Sequence, residues 1–266
     1  MLLAFGVSAC AVGGAPSALE SADSRGEPAA SELAVASGAA KPTDTPRRSA
    51  QPNPCDVGDF NDLPVATCWA EPNARAAREA DTTPVRISYA IPAAGWSAFL
   101  GPYKDSGEGE DLQRVTVNFA DIENLTVDAC TDHDPLDPPV GPTLDDLAAA
   151  LAVLPPFEVA SPPSDVSAFG YSGKHLEIAV PTSVTWKVIA GTPLFTDCYQ
   201  GVLRTWIDRQ LSYAYYGYTA PGDTEEFWIL DVEGTRVVIA ALRTANASAD
   251  MLAEQQAILD SIVIEP

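Results

Sequence analysis

Apolar and polar residues alternate at Val85, Ile87 and Tyr89, and Pro92 and Gly95 interrupt the run before Trp96. The pattern over residues 85–92 predicts a half-buried strand that ends in a turn. RVTVNF, residues 114–119, predicts a second strand, and Leu176, Ile178 and Val180 put a third within 170–180. In EFWILDVEGTRVVIAAL, residues 226–242, only Glu233 and Gly234 separate two apolar runs. A β-hairpin follows, because glycine tolerates the positive φ of a tight turn. TLDDLAAALAVLPP, residues 143–156, predicts a helix: Thr143 and Asp146 form a capping-box pattern, Leu144, Leu147, Leu151 and Leu154 recur at helical spacing, and two prolines end it. SADMLAEQQAILDSI, residues 248–262, predicts a second helix with Ser248 as N-cap and Leu252, Ile258 and Leu259 facing inward. The closing run IVIE suits an edge strand, and the acidic, glycine-rich KDSGEGED at 104–111 suits a solvated loop. Strands in hairpin-like succession with two long helices argue for an α+β fold, a central antiparallel β-sheet with two packed helices.

The N-terminal fifth of the chain has no such periodicity. Residues 11–50 are mostly Ala, Ser, Gly, Pro and Glu, without Trp, Tyr, Phe or Ile, a composition that reads as a disordered tether. Ahead of it stands LLAFGVSAC, an apolar run too short to span a bilayer that halts at Cys10 after Val7, Ser8 and Ala9. This stretch resembles the lipobox of bacterial lipoproteins. The resemblance implies that Cys10 is lipidated and anchors the chain, with 1–9 removed as a signal peptide. No Lys or Arg precedes Leu2, so the true start codon is expected upstream of Met1. The expected organisation is a leader at 1–9, a lipidated tether at 10–50 and a single α+β domain at 51–266.

With Cys10 assigned to the anchor, Cys55, Cys68, Cys130 and Cys198 remain, an even set that suits an oxidising compartment. Of three possible connectivities, Cys55 with Cys68 and Cys130 with Cys198 is favoured. No CxxC pair occurs, and His133 and His175 lie far from metal-ligand spacing, so disulfides are preferred to zinc. Acidic clusters at 104–111 and 131–137 do not fit an EF-hand loop. No metal and no cofactor are expected.

Charge narrows the partners. Thirty-seven acidic against 15 basic residues give a formal net charge of -22, which repels phosphate backbones, and no Lys or Arg run forms a basic patch. No nucleic-acid partner is expected. Catalytic signals are also thin. Ser172 in GYSGK departs from the GxSxG elbow, and His175, three residues on in the same strand, should face the opposite side. Adjacent acids such as Glu225 with Glu226, or Asp145 with Asp146, arise from composition alone, and GEG at 107–109 lacks the rest of a phosphate loop. His133 reads as an exposed loop residue.

The stretch best suited to binding is WIDRQLSYAYYGYTAPG, residues 206–222, where Trp206, Tyr213, Tyr215, Tyr216 and Tyr218 gather beside Arg204 and Arg209. In a regular strand Tyr213 and Tyr215 would share one face and Tyr216 and Tyr218 the other. PAAGW, TLDDLAAAL, GYSGKHLEIAVP, Cys198 and FWILDVEGTRVVIAAL stand in an order similar to uncharacterised secreted and membrane-anchored actinobacterial domains. The strand leading to Pro92, Gly95 and Trp96 also resembles the opening of Mog1/PsbP-like domains. These resemblances imply a sheet flanked by helices and bring no catalytic motif. The expected protein is a non-catalytic, monomeric, extracytoplasmic lipoprotein domain that binds, senses or adapts an unknown protein or envelope ligand. A carrier of an apolar or lipid ligand is the alternative, and an envelope hydrolase the third.

Overall fold

The computed structural model describes residues 52–211 and 213–266; Cys10, the lipobox-like stretch and the tether lie outside the described residues. Within these, the first strands are β1 (Thr67–Ala70), β2 (Arg86–Ala90), β3 (Ser97–Ala98), β4 (Pro102–Ser106) and β5 (Gln113–Ala120), with helix α1 (Ala74–Glu79) between β1 and β2. Then come β6 (Ile122–Asp128), β7 (Asp132–Pro135), helix α2 (Leu144–Ala152), β8 (Glu158–Ala168), β9 (Tyr171–Ala179), β10 (Trp186–Ile189), β11 (Thr192–Phe195) and β12 (Trp206–Asp208). The chain closes with β13 (Thr224–Val232), β14 (Thr235–Arg243), helix α3 (Ala249–Asp260) and β15 (Val263–Glu265).

The frame is a seven-stranded sheet in the order β3-β4-β5-β14-β13-β9-β8, with every pairing antiparallel. Its central strands are buried on both faces, which is why β14 reads as a continuous apolar run rather than an alternation. Val115, Val117, Phe119, Val237, Ile239 and Leu230 point into one core, closed by α3 and the small sheet β1-β2-β15. Phe227, Ile229, Val238, Ala240, Leu176 and Ile178 point into the other, closed by α2 and by Ile122, Leu125 and Trp206 of β6 and β12. The architecture is therefore antiparallel β with helices on both faces, and strands far outnumber helices among the described residues.

Local signals set the main elements. The β13–β14 hairpin turns at Glu233 (φ 51) and Gly234 (φ 87), two consecutive left-handed residues as a tight two-residue turn requires. At α2 the Thr143 hydroxyl accepts from the Asp146 amide at 3.1 Å and the Asp146 carboxylate accepts from the Thr143 amide at 3.0 Å. Ser248 caps α3 by accepting from the Met251 amide at 3.3 Å. The inward stripe of α3 runs through Met251, Gln255, Ile258 and Leu259, whereas Leu252 is exposed. The difference follows from Gln255, whose amide donates to the carbonyls of Thr116 and Leu242 at 2.8 Å each and so turns a polar residue inward.

Other expectations change. Lys104–Ser106 belong to β4 rather than to a loop, and residues 132–135 form β7. Asp105 pairs across the strands with Arg114, and Asp132 accepts from the Asp134 amide at 3.1 Å. His133 is not an exposed loop residue: it sits in β7, its Nε2 donates to the Ala129 carbonyl at 2.9 Å, and its ring lies edge-on to Tyr199. Burial lowers its pKa. The outer strand β8 is exposed, and Pro162 and Pro163 with two register shifts keep it from pairing further. Cys55 is bonded to Cys68 and Cys130 to Cys198, pairings that belong to an oxidising compartment. No helix of the described residues is long and apolar enough to cross a membrane.

Candidate functional site

A cleft of about 270 Å³ opens at the β4–β5 end of the large sheet. Antiparallel register sets its floor, because Tyr103 stands opposite Thr116 and Asp105 opposite Arg114, so the four side chains share one face. Arg114 grips Asp105 through two bonds, Nε to Oδ1 at 2.7 Å and Nη2 to Oδ2 at 2.6 Å. Its remaining nitrogen donates to the Gly217 carbonyl at 3.3 Å and ties the floor to the tyrosine-bearing segment. Asn118, next but one along β5, donates to the Thr116 hydroxyl at 3.1 Å.

The tyrosines form one wall. Tyr215 is buried, stacks on Trp206 with centroids 4.3 Å apart and planes 7° apart, and sets its hydroxyl against Thr116 and Asn118. Burial pushes its phenol far above the ordinary range, so it stays neutral. Tyr213 and Tyr216 remain 39% and 47% exposed at the mouth, 5.9 Å apart. Arg204 lies over both rings, 5.7 Å from Tyr213 and 4.7 Å from Tyr216, and donates to the Ala214 carbonyl at 3.0 Å. Gly217 is required here, since a Cβ would overlap the Tyr215 hydroxyl and come within 3.2 Å of Leu242.

The facing wall comes from the loop closed by Cys55 and Cys68. Phe60 stacks on Phe99 at 5.3 Å and is 68% exposed. Its backbone is left-handed, φ 63, and is held there by the Phe60 amide, which donates a hydrogen bond to the Ala98 carbonyl at 2.6 Å. An aromatic residue in that region is strained, and such strain persists only where the surroundings over-determine it.

Three buried carboxylates pin the tyrosine segment. Asp208 accepts from the amides of Asp121 at 2.8 Å and Gln210 at 2.7 Å, and burial raises its pKa to about 6. Asp223 accepts from the amides of Thr219 at 2.7 Å, Ala220 at 3.0 Å and Ala245 at 3.0 Å, with its pKa also raised by burial. Glu225 accepts from the Trp206 indole at 3.2 Å and from the Tyr218 hydroxyl. Burial lifts it to about 7 against the opposing pull of those two bonds.

The structure thus brings together Tyr213, Tyr215 and Tyr216 in the wall, Trp206 behind it and Arg204 over its outer rings. Tyr218 is instead a core residue, packed 4.9 Å from Phe157 and bonded to Glu225. Arg209 lies apart, paired with Asp121 at 3.0 Å and Glu123 at 3.4 Å. The tyrosine faces also differ from the expected pairing. Residues 213–219 form no regular strand, only an isolated bridge from Ala214 to Ile207, so Tyr213 and Tyr216 face out while Tyr215 and Tyr218 face in. Sequence reasoning missed Phe60, Phe99, Tyr103, Asp105, Arg114, Thr116 and Asn118; the solitary aromatic at 60 amid turn formers was the one local signal.

The histidines lie elsewhere. His175 Nε2 meets Glu226 at 2.6 Å, Glu226 also meets Arg243 at 3.5 Å, and Arg243 pairs with Glu177, a network across β9, β13 and the end of β14. Neither histidine lines the cleft. Among the described residues no group of three or more His, Cys, Asp or Glu is arranged to hold a metal ion. No family model, curated protein or solved structure matches the chain.

Proposed function

We propose that this chain is a non-catalytic extracytoplasmic binding domain, anchored to the outer face of the cell membrane through lipidated Cys10, that recognises a small ligand or chain end at the cell envelope. The observation that carries this reading is the preformed cleft: aromatic on two walls, polar on its floor, and braced by buried carboxylates and a disulfide-closed loop. Such a surface needs no rearrangement to bind, which keeps the ordering cost of association low. The exposure of Phe60, Tyr213 and Tyr216 favours reversible recognition at an open surface over enclosed carriage. Both disulfides agree with export, and the lipobox resemblance supplies the anchor.

The test is mass spectrometry of the full chain exported into a bacterial envelope and recovered in mild detergent, native against denatured. The expected result is a diacylglycerol-type mass on Cys10, abolished by Cys10→Ser, two intact disulfides and no tightly held passenger. A mass carried only under native conditions would replace recognition with carriage, and an unmodified Cys10 in mature protein would remove the anchor.

A further inference from the structure

We infer that the cleft takes a neutral pyranose ring, the terminal or exposed sugar unit of a glycan, an inference that rests on the cleft being a binding site. A pyranose carries two flat C–H faces and a rim of equatorial hydroxyls that both donate and accept. The cleft offers the complement. Phe60, Tyr213 and Tyr216 present ring surfaces at the mouth, and on the floor the accessible Asp105 presents acceptors beside the buried Thr116 and Asn118. Each Asp105 oxygen accepts one bond from Arg114 and keeps a lone pair for a hydroxyl.

The charges argue against other ligands. Arg114 and Asp105 cancel each other in the floor, so nothing there calls for an ion. A cationic ligand would meet rings already faced by Arg204 and a guanidinium in the floor, which disfavours an aromatic cage for ammonium groups. An anionic ligand would approach a chain of net charge -22, and of the two arginines at the cleft Arg114 is already paired with Asp105. A purely apolar ligand would strip water from the Asp105–Arg114 pair without replacing its hydrogen bonds. The volume of about 270 Å³ lies just under the usual range for drug-sized ligands, the scale of a single ring with its substituents. Finally, the strained Phe60 has no role in either core, and a ring face held over the cleft gives that strain a purpose.

Saturation-transfer NMR on the full chain in detergent, using methyl pyranosides, short oligosaccharides and tetramethylammonium as probes, tests this. Saturable transfer to pyranoside ring protons is expected, roughly ten-fold weaker in Tyr216→Ala and in Phe60→Ala, each losing about one aromatic contact. Both side chains are exposed, so both variants should keep the wild-type melting curve. Tighter binding of oligosaccharides than of methyl pyranosides would identify a polymer as the source, and equal binding a free sugar. Binding of tetramethylammonium in place of the sugars would overturn the pyranose while keeping the cleft as a binding site. Absence of transfer to any sugar, or sugar binding indifferent to both variants, would also overturn it.

Discussion

Glu225→Gln should make the protein more stable above neutral pH, an inversion of the usual cost of removing a buried carboxylate. Glu225 is completely buried between Trp206 and Tyr218, and its pKa moves from an ordinary 4.5 to about 7. A group whose acid form is favoured by folding contributes most below pH 4.5, where both states are protonated. Its contribution falls as pH rises towards 7, because the unfolded chain ionises first, and is level above that. At about 1.36 kcal/mol per pH unit, the fall amounts to about 3 kcal/mol. Glutamine keeps the shape of the neutral acid, and its carbonyl can still accept from Trp206 or Tyr218. The assay is urea unfolding of both proteins between pH 4 and 8.5, followed by tryptophan fluorescence. The variant-minus-wild-type stability should rise by about 3 kcal/mol across that range. Asp208 and Asp223, also raised by burial, act in both proteins and cancel in the difference. A difference that stays level with pH would refute the assigned burial of charge at Glu225.

Further outcomes follow from single contacts. Replacing Cys55 and Cys68 with serine frees the loop carrying Phe60; calorimetry should show a loss of about 2–4 kcal/mol, with ligand binding weakened as well. Gly217→Ala pushes a methyl into the Tyr215 hydroxyl and should cost about 1–3 kcal/mol in denaturant unfolding, with altered near-ultraviolet dichroism from the Trp206–Tyr215 stack. Thr143→Ala removes the hydroxyl half of the α2 capping box, and a loss of about 1 kcal/mol without effect on the cleft is expected.

What the sequence revealed was local. The turn at Glu233 and Gly234, the Thr143 box and the Ser248 cap each depend on residues within a few positions, and each stands as its pattern implied. The misreadings involve distant partners. Asp105 reads as solvated until β5 brings Arg114 opposite it, and the expected inward Leu252 gives way to Gln255, whose amide finds two strand carbonyls. The tyrosines were legible as a cluster, but their faces were not: period-two reasoning assumes a ladder, and residues 213–219 have a single bridge. The opposite wall and the floor were out of reach, since Phe60 and Asn118 come to the same cleft as Tyr216 only in the folded chain.

Hydroxyl-radical footprinting of Phe60, Tyr213 and Tyr216, on the full chain in intact envelope and again after purification, tests the binding reading most directly. These rings are exposed in the isolated protein, so strong labelling is expected after purification and marked protection in the envelope, while exposed Val153, away from the cleft, labels alike in both. Equal labelling of the three rings in both settings would contradict occupancy of the cleft.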